Sequence, residues 1–373
     1  MKVNNKRLPL IDKIFLFFTC ALGLGLLLSY LAPVVDPAKF WLFAFFGLAF
    51  PILLVANLVM VAYWLIRQRW HVLLPVICIL AGWNVLLNNV GIRPPSGASY
   101  PPEVNMVSLM TYNVHNFKPW GYDNDPNTKH QFLKLIEEQQ PGVFCAQEFY
   151  TKTRGQYDMI DSIKAVLHAD DYYYEPFESV EGESAGMAIF SKYPIVAHGM
   201  VQLNKLSSGN QSIYADIKKD GKIFRIYNVH LQSVGFKPPN YAYLEGVTKH
   251  FKVNYTGTKD VFIKLRKAFI KRSAQVKIVK AHAAKCPYPY IFCGDFNDTP
   301  ASFAVNYMSK GMKNAFREKG GGLSRTYNGA FPNYQIDFVM ASQQINVGSY
   351  QVLVRKLSDH FPVVTELLLN PSK

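Results

Sequence analysis

The sequence predicts an α/β domain at residues 104–370, preceded by an all-α membrane region at residues 1–90. Two observations lead to this division. Three long apolar runs without a charge occupy the N-terminal region, and short strand-like apolar runs alternate with turns and helical stretches from Val104 onward. The whole chain is 49% hydrophobic and 18% charged, which is a high apolar content for a purely soluble protein.

The apolar runs at the front of the chain are Ile14–Ala32, Phe40–Ile66 and Val72–Val90, with 19, 27 and 19 residues. Because a bilayer is crossed by roughly 20 apolar residues, these runs predict about three transmembrane helices and an integral protein of the plasma or inner membrane. A cleaved signal peptide is the alternative for the first run, but it would not need the two later runs. A third run that is only re-entrant or interfacial would reverse the predicted topology.

The basic residues flanking these runs predict an orientation. Four of them precede the first run, Lys39 alone lies in the first loop, and Arg67 and Arg69 lie in the second loop. By the positive-inside tendency, the N-terminus and the second loop are cytoplasmic. Three crossings then place the following domain outside the cytoplasm.

The segment "GIRPPSGASYPPE" at residues 91–103 is rich in proline and glycine and predicts an extended linker. The domain after it is long enough for one sizeable core. A formal net charge of +14 favours a negatively charged substrate or surface. The five cysteines form no CxxC pair and no cluster with histidine, so we expect neither a zinc site nor a disulfide framework.

Polar residues follow an apolar run in "IFCGDFNDTP". Ile291–Cys293 predict a buried strand, and Gly294 permits a sharp turn directly after it. Asp295 and Asn297 are then expected at the mouth of the strand, two positions apart. The alternative is an ordinary turn in which both side chains cap the backbone.

Five other strand-like runs also begin or end in polar residues. Each has a structural explanation by itself, since a carboxylate can cap a strand and a histidine can be a satisfied core residue. Together they predict one sheet edge that gathers polar side chains into a pocket. The residues are Asn113 and His115, Glu148, Asn228 and His230, Asp337, and Asp359 and His360.

The ordered motifs of this domain resemble those of the endonuclease/exonuclease/phosphatase family, the DNase I-like metal-dependent phosphoesterases. They are "TYNVHNF", "AQE", "GMAIFSKYPI", "YNVHLQS", "GDFNDTP", "QIDFVMAS" and "LSDHFPV", and the resemblance extends from about Val104 to Leu369. "AQE" is weak alone, whereas "GDFN" with a later "SDH" is specific. The resemblance implies a four-layered α/β sandwich, with two mainly antiparallel sheets flanked by helices.

The resemblance also implies roles for the strand-end residues. Phosphoester cleavage needs a hard cation on the phosphate oxygens, a group that activates water, and donors for the developing charge. Oxygen ligands suit Mg²⁺, with Mn²⁺ as an alternative. Matching the family's motifs, the predicted metal ligands are Glu148, Asn113 and Asp359. Asp295 is predicted to activate the water with help from Asn297, and His230 and His360 to contact the phosphate.

Asp337 is predicted to orient His360. Neighbouring residues of an extended chain point to opposite sides, so Asp359 cannot easily orient the imidazole next to it, whereas Asp337 comes from another strand. Capping of a turn is the alternative role for Asp337. His115 departs from the carboxylate that some DNA-repair members of the family have at this place, and we therefore predict one required metal ion.

Three function classes remain open from the sequence. The first is a membrane-anchored phosphodiesterase or nuclease acting on nucleic acid. The second is a phosphatase or phospholipase C-like enzyme acting on lipid or inositol head groups, and the third is a non-catalytic binding module that keeps the fold. Retention of Glu148, Asp295 and His360 argues against the third.

A basic helix is predicted at Lys259–Lys285, with nine Lys/Arg and one Asp. Its apolar positions, among them Phe262 and Phe269, are expected to pack against a sheet. Lys264, Lys267 and Lys271 are predicted to bind an anionic substrate such as a nucleic-acid backbone or a membrane surface. A merely solvated basic surface is the alternative.

Overall fold

The computed structural model describes residues 8–93, 105–118, 126–204, 209–329 and 334–369. In the described part of the N-terminal region the chain forms helices and a short 3₁₀ turn. The α-helices are α1 (Leu10–Ser29), α2 (Leu42–Leu48), α3 (Phe50–Ile66), α4 (Leu73–Ala81) and α5 (Trp83–Asn89).

The three predicted apolar runs correspond to α1, to α2 with α3, and to α4 with α5. Among the described residues, α1 is the one helix that is long and apolar enough to cross a membrane by itself. The pair α2–α3 is bent by 62° and the segment from the 3₁₀ turn to α5 by 68°, and each pair passes the same test only as one broken span. Three crossings, and their orientation, therefore stay predictions.

Helices α1 and α3 are joined by a buried polar contact. Asp12 is fully buried and accepts a hydrogen bond of 2.7 Å from the Tyr63 hydroxyl and one of 3.0 Å from Arg67 Nε. The outer faces of the helices remain apolar, with Phe17 and Ile52 more than 60% exposed. Such an apolar exterior is typical of a surface that contacts a membrane or another protein.

The rest of the described chain alternates strands and helices. The helices are α6 (Pro126–Gln139), α7 (Met159–Leu167), α8 (Pro238–His250), α9 (Tyr255–Ala283), α10 (Phe303–Ser309) and α11 (Ala315–Lys319). The strands are β1 (Val90–Ile92), β2 (Met106–Asn113), β3 (Val143–Lys152), β4 (Asp171–Val180), β5 (Glu183–Ser191), β6 (Ile195–Val201), β7 (Ser212–Lys219), β8 (Lys222–His230), β9 (Tyr290–Asp295), β10 (Met312–Asn314), β11 (Gly321–Leu323), β12 (Asp337–Ser342), β13 (Ile345–Val347), β14 (Gln351–Val352) and β15 (Val363–Leu369).

Most of the described strands form two sheets of related design. The first sheet has the order β13-β15-β2-β3-β5-β4, with β14 also paired to β15. The second sheet has the order β10-β12-β9-β8-β7-β6. Each sheet contains one parallel pair, β2 with β3 and β8 with β9, among antiparallel neighbours. The sheets are therefore mainly antiparallel, as predicted.

The two sheets pack face to face and carry helices on their outer faces. Alternate residues of each strand point to opposite faces, so Leu109 of β2 lies in the core between the sheets while Met110 lies under α6 and α7. On the other side, Val276 of α9 packs with Phe292 of β9. The order helix, sheet, sheet, helix confirms the predicted four-layered α/β sandwich.

The predicted linker begins inside a strand. Gly91 and Ile92 belong to β1, which pairs antiparallel with β11. Residues 94–104 of the linker region lie outside the described residues. The domain boundary at residues 91–103 remains a prediction.

The N-terminal helices pack directly on the second half of the sandwich. Ala301 is fully buried and joins Leu26, Phe50 and Leu54 in one apolar cluster. A Cβ on Gly47 would lie 2.7 Å from the Ala301 carbonyl oxygen, so only glycine permits this close approach. Ala301 lies six residues after Asp295, and the helices therefore support the loop that leaves the predicted catalytic turn.

Candidate active site

The predicted site residues of the second sheet are neighbours by strand register. His230 ends β8 and Asp295 ends β9, and the two are paired in the parallel ladder. Asp337 begins β12 and is paired with Asp295 from the other side. Asp295 therefore lies between His230 and Asp337 at one edge of the sheet.

The first sheet brings its residues to the same place. Asn113 is the last residue of β2, and Glu148 lies in β3 where the pairing with β5 shifts between Ala146 and Phe149. Glu148 has φ +49°, which is uncommon for a residue other than glycine. Such an irregularity redirects a side chain, and here it directs the Glu148 carboxylate toward the second sheet.

The predicted turn at Gly294 is wrong in position. β9 continues through Asp295, and Gly294 lies inside the strand with φ +127°. A Cβ there would be 2.1 Å from the Val229 carbonyl oxygen, so glycine permits the close approach of β8. The turn comes at Asn297, whose backbone N–H donates to Asp295 Oδ1 at 2.7 Å and whose Nδ2 donates to Oδ2 at 3.0 Å.

His360 and Asp337 form a buried pair. Asp337 Oδ2 lies 2.9 Å from His360 Nδ1, and both side chains are at most 5% exposed. Burial lowers the pKa of His360, but the charges of Asp337 and Asp295 outweigh it and hold that pKa well above its usual value. The imidazole is therefore a cation with its Nδ1 proton committed to Asp337.

Asn113 connects the two sheets. Its Nδ2 donates to Glu148 Oε1 at 3.2 Å and to Asp295 Oδ2 at 3.1 Å. Its Oδ1 accepts the backbone N–H of His115 at 3.1 Å. The side chain thus presents its nitrogen to the carboxylates, and its role as a metal ligand stays a prediction.

His230 has one committed and one unpartnered ring nitrogen. Its Nδ1 lies 2.7 Å from the Gly209 carbonyl oxygen, and because a carbonyl only accepts, this nitrogen carries a proton. Its Nε2 is buried without a hydrogen-bond partner and lies 3.6 Å from Glu148 Oε1 and 3.5 Å from Asp295 Oδ2. An orphaned buried nitrogen of this kind needs an explanation, and a ligand between the sheets supplies one.

His115 lies between two predicted metal ligands. Its Nδ1 is 3.4 Å from Glu148 Oε2 and 3.7 Å from Asp359 Oδ1. Burial lowers the pKa of His115, but the hydrogen bond with Glu148 and the charges of Asp359 and Glu148 give a net increase. A positive charge is therefore favoured between the two carboxylates.

The two key acids have opposite pKa shifts. Burial raises the pKa of Glu148, but its hydrogen bonds with His115 and Asn113 and the charges of His230 and His115 lower it to about 2. Burial raises the pKa of Asp295 to about 6, with Asp337 adding to the increase and His360 opposing it. Glu148 is thus a permanent anion, whereas Asp295 is poised to exchange a proton near neutral pH.

Two sets of residues offer metal-binding atoms. Asp295, Asp337 and His360 have ligand-type atoms within 4.8 Å of one another, but they are buried and already bonded among themselves. Glu148 has 28% of its side chain exposed and Asp359 has 10%. The second set is partly open to solvent, which suits a hard cation better.

The basic helix α9 differs from its prediction in what it contacts. Phe262 packs on Phe45 and Trp41 of the N-terminal region, with ring centroids 4.5 and 5.3 Å away, and not against a sheet. Lys264 is held by Asn240 and Asp260, and Lys271 contacts Gln232 at 3.3 Å. Lys267 is exposed. Binding of substrate by these lysines stays a prediction.

Arg272 and Asp298 form a buried pair that the sequence analysis did not single out. Arg272 is 1% exposed, its Nε lies 3.1 Å from Asp298 Oδ2, and its Nη1 donates to the Asn297 carbonyl oxygen. The pair ties α9 to the catalytic turn. Asp298 lies within the motif "GDFNDTP". Nothing in the sequence distinguishes Arg272 from the other basic residues of the same helix.

Asn228 makes structural hydrogen bonds and does not line the pocket. It is fully buried on β8, donates to the Ala146 and Ala188 carbonyl oxygens, and accepts from Gln147 Nε2 at 2.6 Å. These bonds join the second sheet to the first directly behind the site. Tyr327 is also part of the site, since its ring lies 5.3 Å from that of His360.

Two mainly antiparallel sheets with acidic and imidazole side chains gathered at one edge define a class of phosphoester hydrolases. The chain belongs to the endonuclease/exonuclease/phosphatase family, whose model matches residues 110–360. Members of this family act on phosphoester bonds and depend on divalent metal ions. A second model, described as a domain of unknown function, matches residues 12–89.

Solved structures share the fold. An endonuclease/exonuclease/phosphatase family protein from Bacteroides thetaiotaomicron is 19% identical, with a TM-score of 0.53 over 72% of this chain and 99% of its own. One from Beutenbergia cavernae is 20% identical, with a TM-score of 0.52 over 71% and 72%. A mannosyl-6-phosphatase from Bacteroides thetaiotaomicron is 19% identical, with a TM-score of 0.50 over 70% and 99%. A comparison with curated protein sequences finds no match.

Proposed function

We propose that the protein is a divalent-cation-dependent phosphoesterase held at a membrane by its N-terminal helices. The observation that carries the proposal is the convergence of both sheets on the unpartnered His230 Nε2. An acid with a low pKa, Glu148, lies on one side of this nitrogen, and an acid with a raised pKa, Asp295, lies on the other. A phosphate group placed there meets an imidazole, a site for a cation and a base.

Asp295 is the proposed base. Its Oδ1 accepts one hydrogen bond and its Oδ2 accepts two, from Asn297 and Asn113, so the carboxylate is fixed in place. A carboxylate oxygen can accept two bonds, and Oδ1 retains one lone pair for a water molecule. With a pKa of about 6, the group takes the water's proton as the hydroxide attacks phosphorus.

His360 and His230 are the proposed donors to the phosphate. Asp337 holds His360 Nδ1, so the protonated Nε2 of His360 is directed into the site, 3.7 Å from Asp295 Oδ2. His230 Nδ1 donates to the Gly209 carbonyl oxygen, and its Nε2 donates to the phosphate when the ring is in its doubly protonated form. Two positioned imidazoles can stabilise the negative charge that builds up on the phosphate oxygens.

Glu148 and Asp359 are the proposed cation ligands, with Mg²⁺ as the expected ion and Mn²⁺ as its substitute. The cation, when bound, neutralises charge on the phosphate oxygens. Glu148 and Asp359 raise the pKa of His115, which lies between them, so their surroundings favour a positive charge. This supports their assignment as cation ligands. We assign Asn113 to positioning of Glu148 and Asp295 because its Nδ2 donates to both carboxylates.

The membrane part of the proposal rests on α1 and on the apolar exterior of the helices around it. The charge distribution of the loops favours a catalytic domain outside the cytoplasm. A reporter that is active only outside the cytoplasm, fused after Leu369, should then be active. A silent reporter at this position, with an active cytoplasmic one, would contradict three crossings.

The contacts of α9 support one of the two proposed substrate classes. A nucleic-acid backbone needs free cations, and three of the basic residues of α9, Lys264, Arg272 and Lys277, are instead paired with Asp260, Asp298 and Asp36. This favours the second function class, hydrolysis of phosphoesters in lipid or inositol head groups, over nuclease action.

The purified full-length chain should be tested on DNA, on phospholipid vesicles and on a soluble chromogenic phosphodiester. We expect hydrolysis with Mg²⁺, loss of it with EDTA, and the higher rate on the lipid. Release of acid-soluble nucleotides with no lipid product would favour the nuclease class instead. Activity that survives EDTA would overturn the metal-dependent proposal.

A further inference from the structure

The helical hairpin formed by α8 and α9 ends in an exposed apolar tip. We define the tip as residues 249–259. Phe251 is 88% exposed, Tyr255 79% and Val253 69%. Single exposed apolar residues are common, but three within five positions at the end of a protruding hairpin form a patch that has no apolar partner among the described residues.

Local folding does not explain the aromatic residue at the end of α8. Phe251 caps that helix with φ +53°. This left-handed position strongly favours glycine or asparagine, and a bulky side chain there is strained by roughly 1–3 kcal/mol. A phenylalanine that is both strained and exposed contributes nothing to the fold that glycine would not contribute better. Its side chain therefore points to contact with something outside the chain.

The charge around the tip identifies the partner. The tip contains Lys249, Lys252 and Lys259, all exposed, and no acidic residue. Lys249 pairs with Glu245 at 2.6 Å, which leaves the other two lysines as positive charges beside the apolar side chains. Aromatic residues with lysines next to them suit the boundary between anionic head groups and acyl chains.

The position of the hairpin relative to the N-terminal helices agrees with this partner. Phe262 of α9 stacks on Phe45 and packs edge-on against Trp41, in the segment that joins α1 to α3. Tyr255 precedes Phe262 by seven residues, about 10 Å along a helix. The tip thus extends from a helix that already contacts the N-terminal region.

The base of the same hairpin reaches the active site. Tyr241, in the first turn of α8, hydrogen-bonds Tyr327, whose ring packs against His360. Tyr241 and Phe251 are ten residues apart, about 15 Å along the helix. The hairpin therefore connects the mouth of the site to the exposed tip.

We propose that the tip at residues 249–259 inserts into the head-group region of the bilayer beside the N-terminal helices, and that the active site takes its phosphoester from a membrane lipid. The proposal rests on the proposed function and adds the surface that presents the substrate. The bilayer, and not a protein partner or a nucleic acid, is the occupant of the tip because exposed aromatic and lysine side chains suit anionic head groups, and because α9 joins the tip to the N-terminal helices.

Photo-crosslinking tests the insertion without any assay of activity. The full-length chain, with benzoylphenylalanine in place of Phe251, is reconstituted in vesicles of phosphatidylcholine and phosphatidylglycerol and irradiated. We expect a protein–phospholipid adduct by mass spectrometry. The same label in place of Phe17 of α1, which is 69% exposed, is the positive control.

Val180 supplies a matched negative control. It is 61% exposed at the tip of the β4–β5 hairpin, where its neighbours Glu178, Glu181 and Glu183 are acidic instead of basic. We expect no lipid adduct from a label at this position. Adducts at Phe17 without adducts at Phe251, or equal adducts at Phe251 and Val180, would overturn the proposal.

A kinetic test connects the tip to the substrate. Phe251→Asp combined with Val253→Asp should raise the KM for a vesicle phospholipid by about tenfold or more, because acidic residues are repelled from the anionic interface. Hydrolysis of a soluble chromogenic phosphodiester should change less than twofold, which also reports correct folding. An unchanged KM for vesicles would contradict the role of the tip. If the unaltered protein cleaves neither substrate, the proposed function fails, while the crosslinking result still decides the insertion.

Discussion

Both sheets of the sandwich contribute an acid to the site but give these acids opposite properties. Glu148 on the first sheet has a pKa lowered to about 2, whereas Asp295 on the second has a pKa raised to about 6. Glu148 is bonded by His115 and Asn113 at the open side of the site. Asp295 is 1% exposed and has the acid Asp337 as its ladder neighbour. This difference shows that a carboxylate can be suited either to binding a cation or to accepting a proton, depending on its surroundings.

The largest expected effect separates these two tasks. Glu148→Gln and Asp295→Asn should each lower kcat by about 10³-fold or more, since one removes a cation ligand and the other the base. Increasing the Mg²⁺ or Mn²⁺ concentration should partly restore the Glu148→Gln variant but not the Asp295→Asn variant. The measurement is the dependence of hydrolysis on metal concentration, with circular dichroism as the control for folding. Equal restoration of both variants would remove the distinction between the sheets.

The next effect concerns the pair on the second sheet. Asp337→Asn should lower kcat by about 10²- to 10⁴-fold, because the imidazole of His360 loses the group that orients and charges it. The pKa of His360 should fall with it, so the loss of activity at high pH should begin at a lower pH than in the unaltered protein. A pH–rate profile tests this. A variant with reduced activity and an unshifted profile would indicate that Asp337 has only a structural role.

The buried pair of Arg272 and Asp298 can be tested independently of the residues that line the site. Arg272→Met should destabilise the protein by about 3–5 kcal/mol, because it leaves the buried Asp298 carboxylate unpaired. Burial raises the pKa of Asp298 and Arg272 opposes that rise, so the penalty is expected to be greater above neutral pH than in acid. Combining Arg272→Met with Asp298→Asn should recover part of the loss. Urea unfolding of the unaltered protein and the two variants measures this, and a double variant less stable than Arg272→Met alone would exclude the pairing.

A smaller effect is expected at Asp295, and it has the opposite sign: replacing this acid should stabilise the folded protein. The folded protein binds this proton more tightly than the unfolded chain does, so Asp295 carries no penalty below pH 3.8 and a full one above pH 6. Asp295→Asn should therefore stabilise the metal-free protein at pH 8 by on the order of 2–3 kcal/mol and by little at pH 4. Thermal unfolding in EDTA at the two pH values tests this. A variant less stable at pH 8 would show that the carboxylate is not strained by burial.

The smallest effect concerns Lys267, one of the exposed lysines of α9. Lys267→Ala should change hydrolysis of vesicle lipid less than twofold and folding stability by less than about 0.5 kcal/mol, as for other surface positions. Lys264→Ala is the matched comparison because Lys264 is held by Asp260 and Asn240. A marked loss of DNA cleavage in Lys267→Ala, with a weaker dependence on salt, would favour the nuclease class instead.

Much of the site was predictable because its signals are local. A strand-like run that ends in Asp295 or Asn113 is visible in a few residues, and the order of the motifs identified the family and with it the sandwich. The position of Gly294 was predicted wrongly for a physical reason. Glycine permits a turn and also permits close approach of two strands, and only the neighbouring strand β8 decides between them.

The sequence by itself determined the apolar N-terminal runs and the polar residues at the strand ends, because both are properties of short segments. The two-sheet fold followed from the resemblance of the ordered motifs to a known family. The tertiary structure decided which acid keeps its charge, since a pKa depends on burial and on groups far away in the chain. It also decided that Arg272 supports the catalytic turn and that Phe262 packs on Phe45 of the membrane region. A basic helix with apolar positions has many surfaces against which it can pack, and only the packing of the whole chain selects one.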